Sequence, residues 1–405
     1  MEPTRNPYTP NAGAVPPVIA GRDDLEGSFR LLLARLAQGR SEQSMIITGL
    51  RGVGKTVLLE QFRQIADGLR WVVIDREITK HDDDDFRRSL AAWMRSALLS
   101  LSRKELWGER LTHALGVLRS FSLSVDPDGR LSAGLDVDAQ YGVADQGILQ
   151  QDLTDLFVAA GEAAQDHHRG IVLLLDEVQF LNPLQLESLI VGLHKTVQRN
   201  LPVTLVGAGL PQIPELAGDA KSYAERLFVF PSIGNLPDDQ ARLALREPAV
   251  AEGVVWTDDA LTAAVARTEG YPYFLQELGY AVWLIAHDDT ITAADVERAI
   301  PQYEQKLDSS FFRVRLDRAT ELQRAYLRAM AELGPDPQKA SDVATLLGRQ
   351  SNQVGPTRAE LINMGLLYTP QHGYASFTVP QFDRFLKRTI PEFTVPPVQR
   401  RSARP

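Results

Sequence analysis

Lysine, threonine, aspartate and glutamate can together grip a chain of phosphates and split it, provided the backbone brings them to one place. In this sequence of 405 residues they occur in two short stretches. The first, GLRGVGKT at residues 49–56, fits the pattern of Gly, any four residues, Gly, Lys, then Ser or Thr. There Gly49, Gly52 and Gly54, with Val53 and Val57 alongside, let backbone N–H groups wrap a β-phosphate at the positive end of a helix. Lys55 would reach the β- and γ-oxygens, and the Thr56 hydroxyl would hold Mg²⁺. The second stretch, IVLLLDEVQF at 171–180, ends an apolar run in two acids. Asp176 would take the metal through water, and Glu177 would orient or deprotonate the attacking water. An acid in the second place favours water as nucleophile, and hence hydrolysis, over transfer to a small acceptor.

Such residues need a scaffold, and the surrounding pattern supplies one. SMIIT precedes the loop as a buried strand, and KTVLLEQFRQIADG follows it as a helix. Further strands are expected at 71–75, 171–175, 203–207 and 227–230, separated by amphipathic helices. Short apolar strands alternating with helices predict a parallel sheet covered on both faces, an α/β fold. FSLSVDPDGRLSAGLDV, with Asp128-Gly129 at its centre, reads as an inserted β-hairpin near 119–137. Residues 236–308 read as a helical lid, with Thr257 as a cap, Pro272 at a helix start and Thr292 opening another helix. From 309 to 395 three helices and a short hairpin follow in the order of a winged helix-turn-helix, and 396–405 is a basic tail.

Composition narrows the partners. The absence of cysteine excludes disulfides and thiolate metal sites and is compatible with a reducing cytoplasm. No apolar run approaches the length of a membrane span, and the proline-rich N-terminus lacks a signal-peptide core. The net charge of −9 hides an asymmetry. From Arg315 onward there are 13 Lys and Arg against 8 Asp and Glu, whereas the residues before it carry 30 against 44. A basic module on an acidic body predicts a local contact with double-stranded DNA. Ser351, Asn352 and Gln353 open the third helix of that module with Arg358 about two turns on, as groove-facing residues would, and Arg388 would neutralise a phosphate. Two other matches carry no chemistry. TKHD at 79–82 mimics a guanine-reading motif but precedes the acidic strand, and DDDD at 82–85 reads as a solvated helix start.

On these motifs the chain resembles the AAA+ ATPases, and more closely the Orc1/Cdc6-like initiators and the STAND signalling ATPases, over about residues 15 to 390. The resemblance implies a P-loop sheet in the strand order 5-1-4-3-2 spanning residues 1–235, with ATP and Mg²⁺ as cofactors. VIAGRDDLEGSF at 18–29 matches the box ahead of the phosphate loop, which puts Gly21 and Arg22 by the adenine. SYAERLF at 222–228 matches the arginine-finger segment, making Arg226 the finger, and EGYPYFLQ at 269–276 matches the lid motif through Gly270 and Pro272. Two groups of the family pattern are absent. The fourth strand ends VGAGLP without a polar sensor, and the lid helix after Pro272 has no Arg or Lys. Both absences predict a slow switch rather than a fast motor. The expected function is an ATP-binding switch with slow Mg-dependent hydrolysis, coupled to a winged helix on DNA. The alternative is a near-silent ATP-bound scaffold whose winged helix docks a partner protein. Whether the chain forms a homo-oligomer stays open.

Overall fold

The computed structural model describes residues 1–395 except 12, 81, 103–106, 124–125 and 127–136. Five strands, β1 (Ser44–Thr48), β2 (Val72–Glu77), β3 (Ile171–Asp176), β4 (Val203–Gly209) and β5 (Phe228–Val229), form one sheet. All its pairings are parallel and the order is β2-β3-β4-β1-β5, the expected order read from the other edge. Alternate residues feed two cores. Met45, Ile47 and Leu174 pack with the helices Asp23–Ala37 and Lys55–Gly68 and with the lid. Ile46, Leu173 and Leu175 pack with Asp83–Leu101, Glu109–Leu123 and Leu149–Asp166. Burial on both faces explains why these strands are continuous apolar runs. The register pairs Thr48 with Gly209 and Glu77 with Asp176, so the phosphate loop, Asp176 and the end of β4 share one edge of the sheet. Ligands bind at that edge in open α/β sheets.

One expected element begins differently. The start of the expected hairpin belongs to the helix Glu109–Leu123, because Leu111, Leu115, Leu118 and Phe121 recur at helical spacing and are fully buried. The rest of that expectation, 127–136, lies outside the described residues, as does the basic tail.

The helices Asp238–Ala251, Asp258–Thr268, Pro272–Ile285 and Ala293–Lys306 form the lid, joined by a short parallel pair, β6 (Val255–Trp256) and β7 (Thr290–Ile291). The N-terminus is strapped to it. Tyr8 is buried, its hydroxyl donates to the Leu245 carbonyl at 2.6 Å, and the Trp256 indole donates to that hydroxyl at 2.8 Å. Beyond the lid a π-helical stretch, Leu307–Phe312, runs into the short helix Arg313–Leu316. The C-terminal region then sets the helices Glu321–Leu333, Ala340–Leu346 and Ser351–Asn363 beside an antiparallel sheet. Its strands β8 (Gln338–Lys339), β9 (Leu367–Tyr368) and β10 (Tyr374–Phe377) lie in the order β8-β10-β9. A further helix, Phe382–Thr389, which the sequence reading did not resolve, packs Phe382 and Phe385 against Phe312 of the connector.

Candidate nucleotide site

The loop after β1 is built to hold an anion. Gly52 and Gly54 have φ of 80° and 95°, left-handed values that glycine adopts without strain, and Gly54 caps the helix that Lys55 begins. Lys55 is buried, and its ammonium donates to the carbonyls of Gly49 at 3.0 Å and Leu50 at 2.8 Å. Burial lowers its pKa despite the opposing pull of Glu177 and Asp176. The Thr56 hydroxyl donates to Asp176 Oδ2 at 2.5 Å, uniting loop and acidic strand. Burial raises the Asp176 pKa in spite of the Thr56 hydrogen bond. A hydroxyl paired with a carboxylate at a helix start fits Mg²⁺, which favours oxygen ligands and takes its remaining positions from water and phosphate. Among the described residues no cluster of His, Cys, Asp or Glu offers a metal cage of its own.

Asp176 Oδ1 accepts the Glu177 N–H at 2.8 Å, and Glu177 adopts left-handed backbone with φ of 55°. That turn is disfavoured for a residue with a side chain, a strain that recurs where a side chain must be aimed. The Glu177 carboxylate accepts a short hydrogen bond from the Gln179 amide, whose own oxygen accepts the Leu210 N–H at 3.2 Å just past β4. Gly209 makes room for this link, because a Cβ there would lie 2.8 Å from Gln179 Oε1. The sequence reading found no polar group at the end of β4. The strand itself has none, but Gln179 brings one there from the neighbouring turn.

A cleft of about 510 Å³ opens over these residues. Of the residues singled out in the sequence, Arg22, Gly52, Val53, Gly54, Lys55, Thr56, Val57, Asp176, Glu177 and Pro272 line it. Arg22 ties the site together by donating to the carbonyls of Val53 at 3.3 Å and Gly234 at 3.1 Å. Gly21, Gly49 and Gly270 do not line the cleft. Each is a point of close approach to the segment joining sheet and lid: a Cβ would meet Gln240 at Gly21, the Ile233 carbonyl at Gly49 and the Leu236 carbonyl at Gly270. Their role is to let the hinge pack.

The cleft also has walls that sequence reasoning missed. Thr9–Asn11, Pro16 and Val18–Ala20 of the proline-rich segment line one side, and the preceding Tyr8 is held among the helices of 238–306. Arg51, Tyr273, Phe311 and Arg315 form another. The only warning of these was Arg51 inside the loop motif itself.

Arg226 is exposed in the short helix Ala224–Leu227 and outside the cleft. Ser351, Asn352 and Gln353 are exposed at the start of their helix. Arg358 is half-buried and donates to the Thr369 hydroxyl at 2.9 Å and the Tyr374 carbonyl at 2.6 Å. Arg388 pairs with Asp308 of the connector at 2.6 Å, and Arg384 with Glu269 of the lid at 2.9 Å. These guanidiniums, expected on DNA, are engaged within the chain.

Residues 18–206 match the family model described as an AAA ATPase domain. Over these residues the chain is similar to an AAA ATPase domain. The match spans the phosphate loop, the acidic strand, the strands β1, β2 and β3 and the first part of β4. A second model, described as a domain of unknown function, matches residues 309–386. A comparison with curated proteins returned no match. Similar solved structures include the Walker-type ATPase of Pyrococcus abyssi, at 14% identity and a TM-score of 0.50, covering 91% of this chain and 96% of that one. The Orc1 protein of Aeropyrum pernix in complex with DNA aligns at 16% identity over 92% and 94%, with a TM-score of 0.44. The RuvB Holliday junction branch migration motor of Thermotoga maritima aligns at 16% over 93% and 96%, also at 0.44. At such identities the likeness is one of fold. Among the described residues, no helix is long and apolar enough to cross a membrane.

Proposed function

We propose that this AAA protein is a slow ATP-driven switch whose nucleotide state governs a C-terminal winged helix that binds DNA in the cytoplasm. The observation that carries the reading is the joining of Thr56 and Asp176 above a buried Lys55 at the sheet edge. Backbone N–H groups of the loop would bind the β-phosphate, with Lys55 leaving its carbonyl partners for the phosphate oxygens. Thr56 and Asp176 would hold Mg²⁺, which supplies neutralisation of phosphate charge when bound. Glu177 would accept the proton of the attacking water. Its bond to Gln179 must loosen first, which supports a slow reaction. Arg226, exposed beside β5, could serve only a neighbouring copy's site.

DNA engagement has a built-in requirement. Arg384 and Arg388 would have to leave Glu269 and Asp308 for phosphates, so DNA would compete with the acids of the lid and the connector for the same cations. The same pairing favours a second reading, an ATP-bound scaffold whose C-terminal region docks a protein. Mg-ATP at a hundred times its dissociation constant should stabilise the wild type by about 2.7 kcal/mol, and Lys55→Ala should remove most of that. An unmoved melting curve would refute the nucleotide site. Duplex-DNA titration at several salt concentrations, with and without ATP, separates the two readings. Binding that weakens with salt supports the first, and none at low salt in either state supports the second.

A further inference from the structure

The connector Leu307–Phe312 and Arg313–Leu316 brings a cation to the phosphate loop from the far end of the lid. Arg315 lines the cleft with its guanidinium 4.1 Å from the centre of the Phe311 ring, and it also donates to the Phe311 carbonyl. Ring and carbonyl together hold the side chain in place. Across from it stands Arg51, at one of the variable positions of the loop motif. Its backbone N–H donates to the Thr378 carbonyl at 3.3 Å, and its guanidinium fills the space beside Gly365, where a Cβ would lie 2.7 Å from Nη2. The buried Nε of Arg51 has no hydrogen-bond partner.

Neither arginine is in an ion pair with a carboxylate among the described residues. Glu269, paired with Arg384, and Asp308, paired with Arg388, have other partners. Burial lowers the pKa of Arg315, and the charge of Arg51 lowers it further. The fully buried Tyr271 hydroxyl lies next to Gly52, within electrostatic reach of both arginines, and likewise lacks a partner. Two like charges in one cleft, beside an unpartnered hydroxyl donor, offer an anion a place between them. The whole cleft has four cationic side chains, Arg22, Arg51, Lys55 and Arg315, against the two carboxylates Asp176 and Glu177. That surplus of two matches the roughly two negative charges left on a nucleoside triphosphate that carries one divalent cation.

We propose that Arg51 and Arg315 together hold the terminal phosphate of the nucleotide, so that the connector to the C-terminal region reads its presence within one chain. The inference rests on the nucleotide reading above and specifies its phosphate end. It supplies the cation missing from the lid helix without a second copy. It also gives the phosphate two handles on the C-terminal region, the connector through Arg315 and the Thr378 strand end through Arg51.

The test measures binding of Mg-ADP and of a non-hydrolysable Mg-ATP analogue to the full chain. Wild type should prefer the triphosphate. Arg315→Gln and Arg51→Gln should each weaken the triphosphate about tenfold or more, the scale of a charged hydrogen bond, and leave ADP within about twofold. Arg315→Lys, which keeps the charge, should recover part of the loss and guards against misfolding of the glutamine variants. Equal loss for both nucleotides, or no loss for either, would overturn the arginine assignment. Failure of the wild type to bind either nucleotide would instead overturn the site itself, and the assignment with it.

Discussion

The cations of the phosphate cleft and those of the C-terminal region differ in how they are partnered. Arg22, Arg51, Lys55 and Arg315 meet backbone carbonyls, a ring or one another, and none is ion-paired with a carboxylate among the described residues. In the C-terminal region Arg328 pairs with Glu332, Arg384 with Glu269 and Arg388 with Asp308, while Arg358 is hydrogen-bonded to Thr369 and Tyr374. Net charge points to the second region, yet it is the first, inside an acidic body, that gathers four cations without a carboxylate partner into one cleft. A count along the chain cannot separate a cation awaiting an anion from one already satisfied. The pairing partner decides.

The sharpest test of the cleft is chemical. Glu177→Gln should bind ATP normally and hydrolyse it about a hundredfold more slowly, the scale of a lost general base, in a phosphate-release assay. Unchanged turnover would show that the acid beside Asp176 does not activate water. Next comes acidity. Burial raises the Asp176 pKa, so the carboxyl takes up its proton at a higher pH than an ordinary aspartate. Mg-dependent affinity should therefore fall as pH drops through that raised value, by up to about tenfold per unit beyond it. Thr56→Ala, which removes a bond that lowers the Asp176 pKa, should move the fall to higher pH. Affinity flat with pH would show that Asp176 is not a ligand.

A subtler perturbation is Gly209→Ala, which crowds Gln179 from 2.8 Å. It should change turnover by about tenfold or less while leaving ADP affinity alone, and Gln179→Ala should reproduce its effect. Different effects from the two would break the proposed link between Gln179 and Glu177. The smallest effect belongs to the paired region. Arg388→Ala removes an exposed ion pair and should lower stability by about 1 kcal/mol or less in denaturant titration. If Arg388 nonetheless engages DNA, the same variant should reduce the log–log salt slope by about one. A large loss of stability would mean that the Asp308 contact anchors the C-terminal region.

What could be read from the sequence follows physical range. The sheet was legible because a strand buried on both faces must be apolar throughout, and the loop and acid pair because their spacing is local. Residues brought together by long loops were not. Gln179 stands two positions past Glu177, but only the left-handed turn at Glu177 aims it at β4. Arg315 lies 260 residues from Lys55 in sequence and lines the same cleft. The wall formed by residues between Thr9 and Ala20 has neither helical nor strand periodicity, and its anchors, Tyr8 and the Thr9 N–H on Gln276, are identifiable only by their partners in the fold. FSLSV misled because its alternation over a few residues overlaps the longer helical repeat of Leu111 to Phe121.

The π-helical stretch Leu307–Phe312 has a consequence for rotation. It joins Ala293–Lys306 to Arg313–Leu316 without leaving helical backbone, so residues 293–316 wind as one rod with a locally wider turn. Each residue in an α-helix advances the azimuth by about 100°. The wide turn takes up one residue more than an α turn, so losing Ser309 and rewinding as ordinary helix would leave Arg315 near its present azimuth, whereas losing a residue of the flanking α-helix with the wide turn kept would turn Arg315 and everything after it by roughly that angle. The π stretch therefore works as a phase corrector, absorbing one residue of the connector so that Arg315 still faces the phosphate loop.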